Sequence, residues 1–240
     1  MHMRNAPEVF RLIDGKDARV TLMSPDLSTV SIHPDVSGQV TIKPDGMEYF
    51  HVLIARHDTA DTSTTAIQYF HSFGRPTSVS PSLLVNSAKS ELEIIPDPLP
   101  REHWQYRAAH RAKFIIRFKG KPLANQVVEL TTENGSRQAI KTNASGRLAI
   151  TLPDDFPITH AGYRHNQPAE LLLDTTYTFN GHRYRTLLSA PYIVNSAHWQ
   201  SFSGGLLVAG GGMLMGGLMS WRLARRRKAV ETKTRKREQS

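Results

Sequence analysis

Short runs of alternating apolar and polar residues, rich in Val, Ile, Thr and aromatics, recur along the first 190 residues of the chain. A period of two predicts half-buried β-strands. The pattern predicts strands over Arg19–Met23, Thr29–His33, Gln39–Lys43, Tyr49–His57, Thr64–Ser72 and Leu92–Ile95. It continues with Ala112–Phe118, Gln126–Thr132, Ser136–Thr142, Arg147–Leu152, Glu170–Phe179 and His182–Ser189. Turn residues separate these runs: Pro25-Asp26, Asp35 to Gly38, Pro44-Asp45-Gly46 and Ser145-Gly146. Asn134-Gly135 and Asn180-Gly181 are tight hairpin signals, because both residue types accept a positive φ. No comparable stretch holds a 3.6-residue apolar period, so the body is expected to be all-β and built as β-sandwiches.

Pro96-Asp97-Pro98-Leu99-Pro100 interrupts the series. Three prolines in so short a span predict a stiff linker at 97–100 between two β-sandwich domains, 17–96 and 101–195. Residues 1–16 carry only the short apolar run Val9 to Ile13 and are expected to be disordered. Residues 153–168 read as a long Pro/Gly-rich loop containing Tyr163-Arg164-His165, a candidate partner contact.

The pattern changes after residue 200. Phe202 to Trp221 reads FSGGLLVAGGGMLMGGLMSW, free of charge and proline. As a helix it would span roughly 30 Å, the thickness of a bilayer's hydrocarbon core. Its seven glycines would be costly in an aqueous helix and are tolerated in lipid. A single C-terminal transmembrane α-helix is therefore expected at 202–221. Gly212, Gly216 and Ser220 fall four apart on one face, a spacing that suits close helix packing and a homodimer. Arg222, Arg225, Arg226, Arg227 and Lys228 follow at once and predict a basic cytoplasmic tail at 222–240. The body then faces away from the cytoplasm, which places the chain in a bacterial inner membrane with periplasmic β-domains. An exported body needs a signal, and none is visible in the first 30 residues, so its removal or an upstream start is expected.

Charge supports this division. Nine Lys/Arg against two Glu give residues 222–240 a charge of +7, out of +9 for the whole chain. The body is nearly neutral, which argues against a nucleic-acid partner. The expected partners are inner-membrane lipid and a membrane or periplasmic protein. The chain has no cysteine, which removes thiol nucleophiles and Cys-type metal sites.

Phe114-Ile115-Ile116-Arg117-Phe118 leads into Gly120-Lys121-Pro122-Leu123-Ala124, then Val127-Val128-Glu129-Leu130, then Lys141-Thr142-Asn143-Ala144-Ser145-Gly146-Arg147. With Leu92 to Pro96 upstream, residues 90–190 resemble a bacterial periplasmic family with an immunoglobulin/transthyretin-like fold. Some members of that family are linked to nickel/cobalt uptake and others to TonB-dependent siderophore receptors. The resemblance implies a link to metal or siderophore uptake, and with the anchor expected at 202–221 the chain reads as a membrane-anchored periplasmic accessory protein.

Chemistry is sparse. The chain has no Walker A loop, no HExxH, no GxSxG and no strand followed by GxGxxG, so no catalytic residue is expected and the protein reads as non-enzymatic. Eleven histidines offer metal ligands, and His51, His57 and His71 are the candidates. On one strand His51 and His57 would lie about 20 Å apart, so neither could share an ion with the other. A divalent metal delivered to a nickel, cobalt or copper transporter is the alternative reading; no other cofactor is expected.

Overall fold

The computed structural model describes residues 7–13, 15, 17–100 and 105–199. The chain divides into two compact units, Met1–Asn195 and Ser196–Ser240. The described part of the second is a 3₁₀ turn, Ser196–His198, closed by the Trp199 amide donating to the Ser196 carbonyl at 3.1 Å. Everything below concerns the first unit.

Strands β1 (Glu8–Arg11), β2 (Arg19–Met23), β3 (Thr29–Ile32), β4 (Gln39–Ile42), β5 (Tyr49–Asp58) and β6 (Thr62–Ser72) come first. A short helix α1 (Pro81–Asn86) and β7 (Leu92–Pro96) follow. Then come β8 (Tyr106–Arg107), β9 (Arg111–Phe118), β10 (Lys121–Pro122), β11 (Val127–Thr132), β12 (Arg137–Lys141), β13 (Arg147–Thr151), β14 (Ala169–Phe179) and β15 (His182–Ile193). The all-β class holds, and every strand expected from alternation is present.

The strands form one large sheet and two small ones. The large sheet runs β12-β11-β14-β15-β6-β5-β2-β3, with β8 joining β15 beyond the reach of β6. A second sheet sets β10, β13 and β7 around β9. Alternation along β9 sends Ala112, Phe114, Ile116 and Phe118 inward. They meet Val128, Leu130, Leu171, Leu173 and Leu188 of the large sheet in one apolar core. Each such side chain contributes roughly 1.5–3 kcal/mol by leaving water. Two sheets packed over a shared core make this part a β-sandwich.

β5 differs because it is covered on both faces. Val52 and Ile54 face the main core, while Leu53 and Ala55 face a second cluster with Val20, Leu22, Val40 and Ile42. The ribbon β1–β4 covers that second face, and Phe10 packs on Phe70 at 5.0 Å between ring centres. The expectation of disorder at 1–16 therefore fails at Glu8–Arg11. Phe10 gains a partner, and its strand pairs with β4, a contact too distant in sequence for local pattern to show.

The expected separation at 97–100 also fails. β6 and β15 pair in parallel from Arg183↔Thr62 to Ser189↔Gln68, and β7 pairs with β9 from Leu92↔Phe118 to Pro96↔Phe114. The halves 17–96 and 101–195 thus share a sheet and a core, and Leu99 is buried in that core. The prolines do not act as a spacer. β7 pairs only with β9, so Pro96 can end it without removing a ladder hydrogen bond.

Among the described residues no helix is long and apolar enough to cross a membrane. The expected span at 202–221, its packing residues Gly212, Gly216 and Ser220, and the flanking Arg222, Arg225, Arg226, Arg227 and Lys228 lie outside the described residues.

Candidate functional site

An open groove of about 640 Å³ lies on the β2–β3–β5 end of the large sheet. Its floor and walls include Thr21, Met23, Ser31 and Ile54, with Ala88 and Lys89 from the segment before β7. Arg19, Arg56 and His33 supply its basic groups. Register explains their grouping. Arg19 is the direct partner of Arg56, and continuing the Val20↔Ile32 pairing by one residue sets His33 beside Arg19. Three basic side chains thus form one row across the sheet, ending at its edge.

The arginines are restrained by acids. Arg19 donates to Asp58 at 2.7 Å, Arg56 donates to both oxygens of Asp58, and Arg56 reaches Glu91 at 3.0 Å. Burial pushes the Asp58 carboxyl up, but bonds from Arg56, Ser63 and Arg19 outweigh it and hold it below the usual carboxylate range. Lys89 Nζ donates to the carbonyls of Leu84, Val85 and Ser87 at 2.6–3.1 Å and so closes the end of α1. Burial pushes its ammonium down to about 8 against the pull of Glu93, so it stays largely charged at neutral pH.

Beneath this layer, Glu93 and Arg117 form an ion pair, and Glu93 is 2% exposed. Glu93 also accepts the Lys89 amide at 3.0 Å, and Arg117 donates to the Asn86 carbonyl at 2.9 Å. This network pins α1 to β7 and β9.

The histidine candidates do not converge. His51 is buried; its Nε2 bonds the Asp45 carboxylate at 2.9 Å and its Nδ1 lies 3.2 Å from the Tyr49 carbonyl. Its ring stacks on Phe70. His71 is paired with Phe50, one place along the ladder, so it points to the opposite face of the sheet. There it sits edge-on to Phe50 and Phe73. Burial, with His51 nearby, pushes its imidazole down to about 4. His57 pairs with Thr64 at the far end of β5. No group of three His, Asp or Glu suited to a metal ion occurs among the described residues.

Two serine–histidine neighbourhoods test for nucleophilic chemistry. Ser24 Oγ donates to Asp45 Oδ2 at 3.0 Å, the same oxygen that His51 bonds. The hydroxyl proton goes to the carboxylate, so the imidazole is not its base. Burial pushes the Asp45 carboxyl up, but the Met47 amide, His51 and Ser24 outweigh it and hold it low. Ser63 Oγ lies 3.0 Å from His182 Nε2. Asp58 stands opposite Ser63 in the ladder, on the hydroxyl side of the pair. A triad needs the acid behind the imidazole, orienting its other nitrogen.

No protein-family model matches the chain, and no curated protein does. Solved structures give distant likenesses. One is described as a Ca²⁺-stabilized adhesin that helps an Antarctic bacterium reach out and bind ice. It is 12% identical with a TM-score of 0.29, over 79% of this chain and 43% of its own. The chain therefore spans less than half of that protein. The D0-D1 domain of intimin is 14% identical with a TM-score of 0.27, over 78% of this chain and 80% of its own. A two-domain fibronectin type-III segment of chicken tenascin is 8% identical with a TM-score of 0.24, over 78% and 91%. At such scores the fold rests on the strand pairing itself.

The 153–168 loop is tied down. Asp155 accepts from Thr132 and Tyr192 at 2.6 Å each, and Phe156 packs on Tyr192. Asn166 bonds the backbone of His160 and Gly162, which folds the loop over the 3₁₀ turn Tyr163–His165. The Arg107 guanidinium sits 5.1 Å over the Tyr163 ring.

Sequence reading found His51 but not Asp45, which looked like a turn residue only. It also missed Arg19, Arg56, Asp58 and Lys89, whose grouping depends on register. The continuous run Val52-Leu53-Ile54-Ala55 was the available signal that both faces of β5 are covered.

Proposed function

We propose that this chain is a non-enzymatic interaction protein, tethered by residues 202–221 to the inner membrane, with its β-body in the periplasm. The observation that carries the reading is the open groove on β2, β3 and β5, whose arginines are held in place by Asp58 and Glu91. His51, on the opposite face of β5 from the groove, serves Asp45 and Tyr49, and Glu93 serves Arg117 and Lys89, so these groups hold the fold and are not offered to a ligand. The apolar stretch followed by clustered arginines supports the tether. A role in metal or siderophore uptake draws its support from the resemblance in residues 90–190, and metal delivery draws none from the placement of His51, His57 and His71.

Cell fractionation and protease accessibility test the reading. The full chain should sediment with membranes and resist carbonate extraction. External protease applied to spheroplasts should digest the body and leave the basic tail protected. Recovery of the full chain in the soluble fraction, or digestion of the tail from outside, overturns it.

A further inference from the structure

The two ends of the large sheet are treated differently by the sequence. β12 closes one end with Arg137 and Lys141 at its termini. Charged residues on an edge strand discourage pairing with another chain. β3 closes the other end with Thr29-Val30-Ser31-Ile32, which carries no charge and no proline. Thr29, Val30 and Ser31 are all exposed, Val30 at 58%.

The ladder shows which peptide groups are open. The Ser24 amide donates to the Ser28 carbonyl at 2.9 Å, just beyond the β2–β3 pairing. In an antiparallel pair, bonded and non-bonded positions alternate. Leu22–Val30 and Val20–Ile32 are then the bonded pairs. Thr29 and Ser31 fall in non-bonded pairs, so their N–H and C=O groups point outward from the sheet. A strand laid beside β3 would meet this row at the usual inter-strand spacing.

Charge selects the strand. The row His33–Arg19–Arg56 runs across the groove face and ends at the β3 edge. Arg19 is far more open than Arg56, its side chain 79% exposed against 31%. A strand added outside β3 would place one side chain next in that row. Asp58 and Glu91 hold Arg56, but Arg19 gives Asp58 only its Nη2, so a carboxylate beside it is met by the remaining guanidinium donors and a cation is repelled.

We propose that β3 receives an extended segment of a partner polypeptide by strand addition, with a Glu or Asp side chain set beside His33 and Arg19. This rests on the reading of the chain as an interaction protein and names the surface it uses.

The test uses the full chain and two capped, fluorescein-labelled peptides, Thr-Val-Thr-Glu-Thr-Val-Thr and Thr-Val-Thr-Lys-Thr-Val-Thr, in fluorescence anisotropy. The Glu peptide should bind at least tenfold more tightly than the Lys peptide, and the preference should shrink with added salt. Ser31→Pro removes an outward donor without touching the β2 ladder and should weaken the Glu peptide tenfold or more. Arg19→Glu, read independently of Ser31→Pro, should reverse the preference between the peptides. Circular dichroism confirms that each variant folds. Equal binding of both peptides, binding of neither, or an unchanged Arg19→Glu preference overturns the proposal. Membrane fractionation is unaffected by any of these outcomes, so failure here is distinct from failure of the tethered reading.

Discussion

Arg19 and Arg56 stand opposite each other on β2 and β5, and the single carboxylate of Asp58 bonds both guanidinium groups. Like charges directly opposite destabilise a sheet unless something neutralises them. Asp58→Asn removes that neutraliser and leaves Arg56 with Glu91 alone. All three side chains are partly or largely exposed, so solvent screens the effect. The expected loss is about 0.5–1 kcal/mol in low salt and less in high salt. Urea unfolding at two ionic strengths checks it; a salt-independent loss would mean that geometry, not charge, carries the effect.

The buried pair Glu93–Arg117 obeys a different rule. Here removing the buried Glu93 would leave the partly buried Arg117, its side chain 17% exposed, without its counter-charge. Glu93→Ala is expected to cost about 3–5 kcal/mol, because Arg117 loses its partner and the Lys89 amide loses its acceptor. Adding Arg117→Leu to that variant should recover part of the loss, since the stranded charge is then gone. Denaturant midpoints of the two single variants and the double variant decide it. Purely additive losses would show that the two residues do not act as a pair.

Acid should weaken the protein in two steps. The His71 imidazole is pushed by burial from its ordinary 6.5 down to about 4. The unfolded chain therefore takes up this proton first as pH falls. Stability is intact above about pH 6.5 and is lost progressively toward pH 4. With the ring only half-buried, the loss is about 1–2 kcal/mol once solvent screening is allowed for. Asp45 and Asp58 carry carboxyls held below the ordinary aspartate value of 3.8. Their contribution is present above that value and disappears as pH falls through their lower, folded values. Thermal unfolding from pH 7 to pH 3 should show both steps. His71→Leu should flatten the upper step and leave the lower one; an unchanged upper step would assign it elsewhere.

The strands were legible wherever one face is buried and the other wet. Ala112, Phe114, Ile116 and Phe118 alternate in the sequence as they alternate in the sheet. Phe10 was not legible, because its partner Phe70 lies 60 residues away and the strand that carries it has only four residues. Helix α1 was missed for a related reason: six residues hold less than two turns of apolar period, and Leu84 is its one buried side chain. The basic row was invisible because Arg19, His33 and Arg56 become neighbours only through two ladders. His51 could be singled out from strand alternation, but its structural role needed Asp45, contributed by a turn.

The prolines at 96–100 suggested two independent domains, and the pairing across them predicts the opposite behaviour. Seven parallel pairs join β6 to β15 and five antiparallel pairs join β7 to β9. A fragment ending at residue 96 would expose Ile67, Leu92 and Ile94, each at 1–2% exposure in the intact unit. A fragment beginning at 101 would uncover Phe114 and Ile116 along β9, where β7 now lies. At roughly 1.5–3 kcal/mol per side chain, these losses come to about 4.5–9 kcal/mol for the first fragment and about 3–6 kcal/mol for the second, a large share of a net stability of about 5–15 kcal/mol. Neither half should fold alone, and the two co-expressed should recover β-structure together. Far-UV circular dichroism and amide dispersion in NMR spectra of the separate halves decide the matter. Cooperative unfolding of either half in isolation would restore the two-domain description and make the shared sheet a docking contact instead of a common core.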